Sequence, residues 1–235
     1  MPAMFDPHGP TLVELAEQAL ASTRRGYDLL ASKFDRTPFR TPDWLLDAVA
    51  PHLEGLGAAR AVDLCCGTGA AVPLLQRLSR DLVVGVDFSL GMLAETRSGE
   101  RPRTLFVQQD VLRLGLAERF ELATIFGALG HLRPAVQAQF LAQARSCLVP
   151  GGTLAFDTAP VPPPWSLSLW LAAAFDATMW LRNRLWRPPF YMYYLAWPLP
   201  RALRLLRENG FTPEVRPLGP HRPLSHLRLV LARRV

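Results

Sequence analysis

The stretch R-A-V-D-L-C-C-G-T-G-A-A-V, Arg60 to Val72, decides how the rest of the chain is read. A short apolar run, Ala61-Val62, leads through Asp63-Leu64 to Cys65, Cys66, Gly67, Thr68 and Gly69, and a helix-like run follows from Ala70 to Leu78. That order predicts strand, tight turn, helix. Glycines let the backbone turn sharply and let a ligand approach the main chain. A helix that starts there faces the ligand with its free N–H groups. The dinucleotide fingerprint asks for Gly or Ala three residues after the second glycine. Val72 stands at that position, so the fingerprint fails and NAD is not expected. Asp63, at the strand end, would repel a pyrophosphate and attract a ligand carrying an ammonium and a sulfonium.

Spacing downstream agrees with a nucleoside ligand. Leu82 to Val86 reads as a buried strand ending at Asp87. That lies about 20 residues beyond the glycines, where nucleoside-binding α/β folds place an acid on the ribose hydroxyls. Phe88 and Ser89 lead into a helix with Met92 and Leu93. Thr104 to Val107 reads as a third strand closed by Gln108-Gln109-Asp110-Val111, with a short helix from Val111 to Leu116. Phe120 to Phe126 reads as a fourth strand, followed by Gly127-Ala128-Leu129-Gly130-His131-Leu132. Ligands of open α/β sheets lie beyond the carboxyl ends of the strands, so Phe126 to His131 should border the reacting centre. His131 could take a proton from a nucleophilic oxygen or nitrogen there. The plainer reading makes it a helix-start residue that packs and donates one hydrogen bond.

Taken together, these segments resemble the class I S-adenosylmethionine-dependent methyltransferases of the small-molecule type. Motif I, D-x-G-x-G-x-G, stands here as Asp63 to Gly69 with Cys65 in place of the first glycine. Motif II, V-x-G-x-D-x-S, runs from Val83 to Ser89. L-x-P-G-G-x-L runs from Leu148 to Leu154 ahead of a fifth strand, Thr153 to Asp157. A Y-D-x-x-A-x-x-Y-D segment is matched from Tyr27 to Asp35, with Phe34 for the second tyrosine. The resemblance implies S-adenosyl-L-methionine as cofactor, held by Asp63, Cys65, Gly67 and Gly69, by Asp87 and Phe88 on the ribose, and by Asp110 and Val111 on the adenine. Phe126 would lie at the transferring methyl and Tyr27 would help cover the cofactor. His131 is the candidate catalytic residue. It also implies an α/β, Rossmann-like, doubly wound fold. The expected sheet is mainly parallel and seven-stranded, with the last strand antiparallel and helices on both faces.

Composition narrows the setting. Nearly half of the 235 residues are hydrophobic, enough for a large core. Three cysteines, two of them adjacent, give no disulfide framework, and the scattered histidines show no metal-ligand spacing. Met1 to Pro10 lacks a basic segment followed by an apolar one, so a cytoplasmic chain is expected. The net charge of +6 lies in the last third, where Arg182, Arg184, Arg187, Arg222 and other arginines oppose only Asp176, Glu208 and Glu214.

Near the start, Thr11 to Ser32 reads as one helix with a capping box, Thr11 and Glu14. A second helix is expected from Pro42, capped by Thr41. Val149 to Gly152 reads as a helix stop and turn. Beyond Pro160, Pro162, Pro163 and Pro164 come five of the six tryptophans, and Trp165 to Leu181 reads as an apolar helix too short to span a bilayer. Arg201 to Asn209, Phe211 to Leu218 and Leu224 to Ala232 read as a last helix and two strands.

The expectation is a single domain, 1–235, made of a helical cap (1–58), a core (59–159 and 199–235) and an aromatic-rich lid (160–198) over the acceptor. The activity expected is transfer of a methyl group from S-adenosylmethionine to a small, apolar or amphipathic acceptor of lipid, quinone-like or natural-product type. Nucleic acid is not an expected partner, because the D/N-P-P-Y/F and Pro-Cys segments of the DNA-modifying members are missing. The alternatives are a non-methylating enzyme on this fold, such as an aminopropyl transferase, and a cofactor-sensing binding protein. Peripheral membrane contact through 165–187 is the alternative to the lid.

Overall fold

In this computed structural model the described residues are 8–96, 102–117, 119–221 and 223–235. Arg222 and residues 1–7, read above for charge and for a leader, lie outside them. Seven strands form one sheet: β1 (Arg60–Leu64), β2 (Leu82–Asp87), β3 (Arg103–Gln108), β4 (Phe120–Ile125), β5 (Leu148–Thr158), β6 (Phe211–Pro217) and β7 (Arg228–Arg234). Their order is β3-β2-β1-β4-β5-β7-β6. The first five run parallel, and β7 runs antiparallel between β5 and β6. The helices are α1 (Leu12–Leu20), α2 (Thr23–Phe34), α3 (Asp43–Leu53), α4 (Val72–Leu78), α5 (Leu90–Ala94), α6 (Gln137–Cys147), α7 (Leu167–Leu185) and α8 (Leu199–Glu208).

Successive strand residues point to opposite faces, and both faces are apolar. Val62, Leu64, Val86, Ile125 and Phe156 face α6 and α8, where Phe140, Leu141, Ala202 and Leu206 meet them. Ala61, Val83, Leu122 and Ala155 face α3 and α4, where Leu46, Val49 and Leu75 meet them. The expected doubly wound sheet is therefore present, with its ligand edge at the carboxyl ends of β1 to β5.

Several boundaries differ from the sequence reading. The first helix breaks at Ala21, which is extended, and Ser22 caps α2 by accepting from the N–H of Arg25. The Thr11–Glu14 capping box is made in full. Helix α3 starts at Asp43 rather than Pro42, because Thr41 turns its hydroxyl to the carbonyl of Phe126, 3.4 Å away. Helix α4 starts at Val72 rather than Ala70, since Gly69 and Val72 are still closing turns onto Cys66 and Gly69. No helix forms from Val111 to Leu116; the Asp110 side chain accepts from the N–H of Leu112 and holds a turn. Val149 to Gly152 is a bulge inside β5, between the Phe120–Leu148 and Leu122–Thr153 pairs, with Gly151 at φ 77°. The apolar helix of the inserted segment is α7, and of its residues only Asn183 is buried.

Candidate functional site

The loops at the carboxyl ends of β1, β2, β3 and β4 surround a cavity of about 390 Å³ that α2 and the segment after α7 close over. Its walls include Tyr27, Asp63, Cys65, Gly67, Asp87, Phe88, Asp110, Val111, Phe126 and His131. Every site residue expected from the sequence therefore borders one space, except Gly69. That glycine, at φ 88°, only closes the turn by donating to the Cys66 carbonyl at 2.8 Å.

The β1 loop has an unusual backbone. Cys65 takes φ 59° and Gly67 φ 55°. The left-handed region is free to glycine but costs an L residue about 1–2 kcal/mol. Cys65 therefore holds a conformation that glycine adopts freely, with its side chain on the cavity wall.

Asp87 is 5% exposed and its carboxylate ties two loops together. One oxygen accepts from the N–H of Gly67 at 2.9 Å, the other from the N–H of Ser89 at 2.9 Å. A carboxylate has about four acceptor positions, so these bonds leave it capacity to accept from a ligand. Asp87 thus also holds the loops after β1 and β2 together. Asp63 is buried and accepts from the Thr124 hydroxyl at 2.8 Å. Burial raises its carboxyl to about 7; the Thr124 bond opposes the shift and Asp87 adds to it. Burial also raises Asp87, against its backbone N–H partners.

His131 has partners on both ring nitrogens. Nδ1 contacts the Tyr191 carbonyl and Nε2 lies 2.7 Å from the Tyr27 hydroxyl. A carbonyl can only accept, so Nδ1 carries the proton. Burial lowers the imidazole below its usual value, which leaves Nε2 bare to accept from the Tyr27 phenol. The ring therefore fastens α2 and residue 191 together, and it offers no open nitrogen to a substrate. That geometry lies nearer the plainer of the two readings of His131.

Sequence reasoning missed what holds the cap down. Asp28 accepts from the Ser89 hydroxyl at 2.6 Å and the Gly91 N–H at 3.0 Å. Asp35 accepts from the Thr68 hydroxyl at 2.5 Å. The two acids of the Tyr27–Asp28…Phe34–Asp35 pattern thus lash α2 across the loops after β1 and β2. The repeated aromatic–acid pair was the available signal, and only its aromatic half was used. Tyr191 and Thr23 were also missed. Both line the cavity, and the Tyr191 N–H donates to the Thr23 hydroxyl at 2.9 Å; nothing local in the sequence marks a pairing so distant along the chain.

The lid expectation needs correction. Of residues 160–198 only Pro189 and Tyr191 line the cavity, while Trp165, Trp170 and Trp180 are exposed and do not line it. The rest of the wall is largely apolar: Phe34, Phe39, Met92, Leu112 and Leu132 join Phe126 there, and Arg24 is its one arginine among the described residues.

The cavity suits the implied cofactor. Its volume lies within the roughly 300–1,000 Å³ range of small-ligand sites. Among the described residues no base pairs with its buried acids, Asp63 and Asp87, so a cation is the complementary charge there. Asp87 borders that space together with Phe88 and Val111.

Residues 61–152 match the family described as a methyltransferase domain. A tRNA U34 carboxymethyltransferase of Idiomarina loihiensis is 32% identical over 148 residues, 60% of this chain and 45% of that protein. A 2-phytyl-1,4-naphtoquinone methyltransferase of Thermosynechococcus vestitus is 39% identical over 108 residues, 44% of this chain and 47% of that protein. The chain thus spans about half the length of the curated relatives it matches. Among solved structures, the DhpI–SAH complex superposes with a TM-score of 0.66 at 20% identity, covering 95% of this chain and 98% of that one. An S-adenosylmethionine-dependent methyltransferase from Mesorhizobium loti gives 0.58 at 25% identity, covering 80% and 100%.

Proposed function

We propose that the chain is a class I S-adenosylmethionine-dependent methyltransferase, a reading its methyltransferase-domain match and its fold support, and that it methylates a small apolar or amphipathic acceptor. The observation that carries this reading is the single cavity, acidic at the β1 and β2 loops and apolar toward Phe39, Leu132 and Tyr191. The bound cofactor supplies a methyl group already activated by a sulfonium. Asp63 would meet its cationic end and Asp87 its ribose. Asp110 and Val111 would border the adenine. The protein's share of the chemistry is to hold the acceptor in line and exclude water. Tyr27, tied to His131, closes the roof over that space.

The quinone-type relative supports an apolar acceptor, whereas the tRNA-directed relatives support a nucleic acid. We favour the first because the cavity wall holds one arginine among the described residues, and phosphate recognition is carried by clustered basic groups. The test is a side-by-side assay with labelled S-adenosylmethionine on a prenylated naphthoquinol and on total tRNA lacking its own methyl groups. Label in the quinol or another lipid-soluble acceptor is expected. Label confined to tRNA overturns the proposed acceptor and leaves the methyltransferase class standing.

Asp63 gives a prediction that needs no acceptor. With its carboxyl near 7 in the folded chain and about 3.9 when unfolded, the folded state holds more protons between those values. This residue therefore lowers stability as pH rises from about 4 to about 7. An ammonium placed beside it favours the ionised form, so cofactor binding should expel a proton near neutrality. Affinity for S-adenosylhomocysteine should fall as pH drops below about 7 and level off above it. Calorimetry in buffers of different ionisation enthalpy checks this, and a binding heat independent of buffer would place Asp63 away from the ammonium.

A further inference from the structure

Helix α7 turns three polar side chains to the protein. Asp176 accepts from the N–H groups of Tyr194 (2.7 Å) and Leu195 (3.0 Å). Arg182 donates to the carbonyls of Pro188 (2.7 Å) and Ala21 (3.0 Å). Asn183 pairs with both backbone groups of Phe190, each at 2.9 Å. Its most exposed apolar side chains lie on the outward side together with Thr178, while Leu169, Phe175 and Met179 are half-buried. Leu167 (72% exposed), Trp170 (63%), Leu171 (61%), Leu181 (49%) and Leu185 (74%) recur at helical spacing on one side. A helix of a water-soluble surface is arranged the other way round. Single exposed apolar residues need no explanation, but a continuous stripe marks an interaction surface.

Charge selects the occupant. At the carboxyl end of the stripe stand Trp180, Arg184, Trp186 and Arg187, all exposed, with the Arg184 guanidinium 5.9 Å from the Trp180 ring centre. Asp176, the one acid between residues 161 and 200, is already held on the inner side. A second copy paired through this face would therefore bring no carboxylate to the arginines. An anionic lipid surface brings one anion per headgroup. Amphipathic helices with tryptophan, leucine and arginine on the facing side lie in that interface, and tryptophan and arginine settle at headgroup level. No helix among the described residues is long and apolar enough to cross a membrane, so α7 lies on the surface rather than through it.

We propose that the outward face of α7 docks the protein onto an anionic lipid bilayer, with Trp170, Leu171, Leu181 and Leu185 among the acyl chains and Arg184 and Arg187 at the headgroups. This stands apart from the acceptor's identity, although the segment that follows α7 also carries Pro189 and Tyr191 into the cavity wall.

The test is flotation of the full chain with phosphatidylcholine vesicles, with and without phosphatidylglycerol. The parent is expected to bind and to prefer the anionic vesicles. Trp170→Ser, Leu171→Ser and Leu181→Ser combined should lower partitioning by about tenfold or more, and Arg184→Ser with Arg187→Ser should abolish the preference for phosphatidylglycerol. Affinity for S-adenosylhomocysteine should be unchanged in both, because none of these residues lines the cavity. Three results would overturn the proposal: a parent that ignores vesicles, a triple variant that floats like the parent, or a triple variant that loses only self-association or only tRNA binding.

Discussion

Asp87→Ala loses cofactor affinity by at least about 100-fold and melts roughly 4–8 °C below the parent. The first figure follows from the two hydrogen bonds proposed between the carboxylate and the ribose hydroxyls, each worth about 1.5–3 kcal/mol when one partner is charged. The second follows from the structure, where the same carboxylate accepts from the N–H of Gly67 and of Ser89. Removing it strands both donors, while relief of a buried charge returns part of the loss. A net cost of about 2 kcal/mol corresponds to that shift in a chain of this size. Calorimetry with S-adenosylhomocysteine, run well below the lower melting point, separates the effects. Undiminished affinity would take Asp87 off the ribose. An unchanged melting point would mean that water takes over both N–H groups.

Trp197→Ala costs about 3–5 kcal/mol, the range for emptying a buried aromatic site, out of the roughly 5–15 kcal/mol that holds a domain together. Trp197 is buried between the rings of Phe140 and Phe156, with centroids at 6.2 and 6.3 Å, and its carbonyl accepts from the Thr158 hydroxyl at 2.6 Å. It fastens the end of the inserted segment to the sheet. Its indole N–H is buried without a partner, so Trp197→Phe removes an unsatisfied donor along with some volume and should cost only about 1 kcal/mol. Denaturant midpoints of the two variants check the ordering. Equal losses would show that a feature of the indole that both variants lack, not the buried volume, sets the cost at this site.

How far the sequence could be read depended on whether the information was local. Asp63, Cys65, Gly67 and Asp87 were legible because strand, tight turn and acid follow one another at fixed spacing, and local geometry dictates each. The strands were legible because both faces of the sheet are apolar. The break at Ala21 was not, because neither Gly nor Pro marks it and the cap is a single serine. The Tyr27–His131–Tyr191 chain of contacts was invisible because it joins three distant segments. Helix α7 misled for a plainer reason. An apolar run tells that a helix wants to leave water, not whether it turns to the protein or away from it. Only Asp176, Arg182 and Asn183, anchored on the inner side, settle the direction.

The strained residue of the β1 loop also bears on chemical safety. A methyl donor is an alkylating agent, and a thiolate is among the most reactive nucleophiles a protein can set beside one. Cys65 borders the cavity, yet burial first, and then the charges of Asp87, Asp63 and Asp110, hold its thiol well above the usual range. Carboxylates that draw in a cationic cofactor thus also keep the neighbouring sulfur protonated and poorly nucleophilic. The loop can carry sulfur where glycine would be easier, without the catalyst alkylating itself.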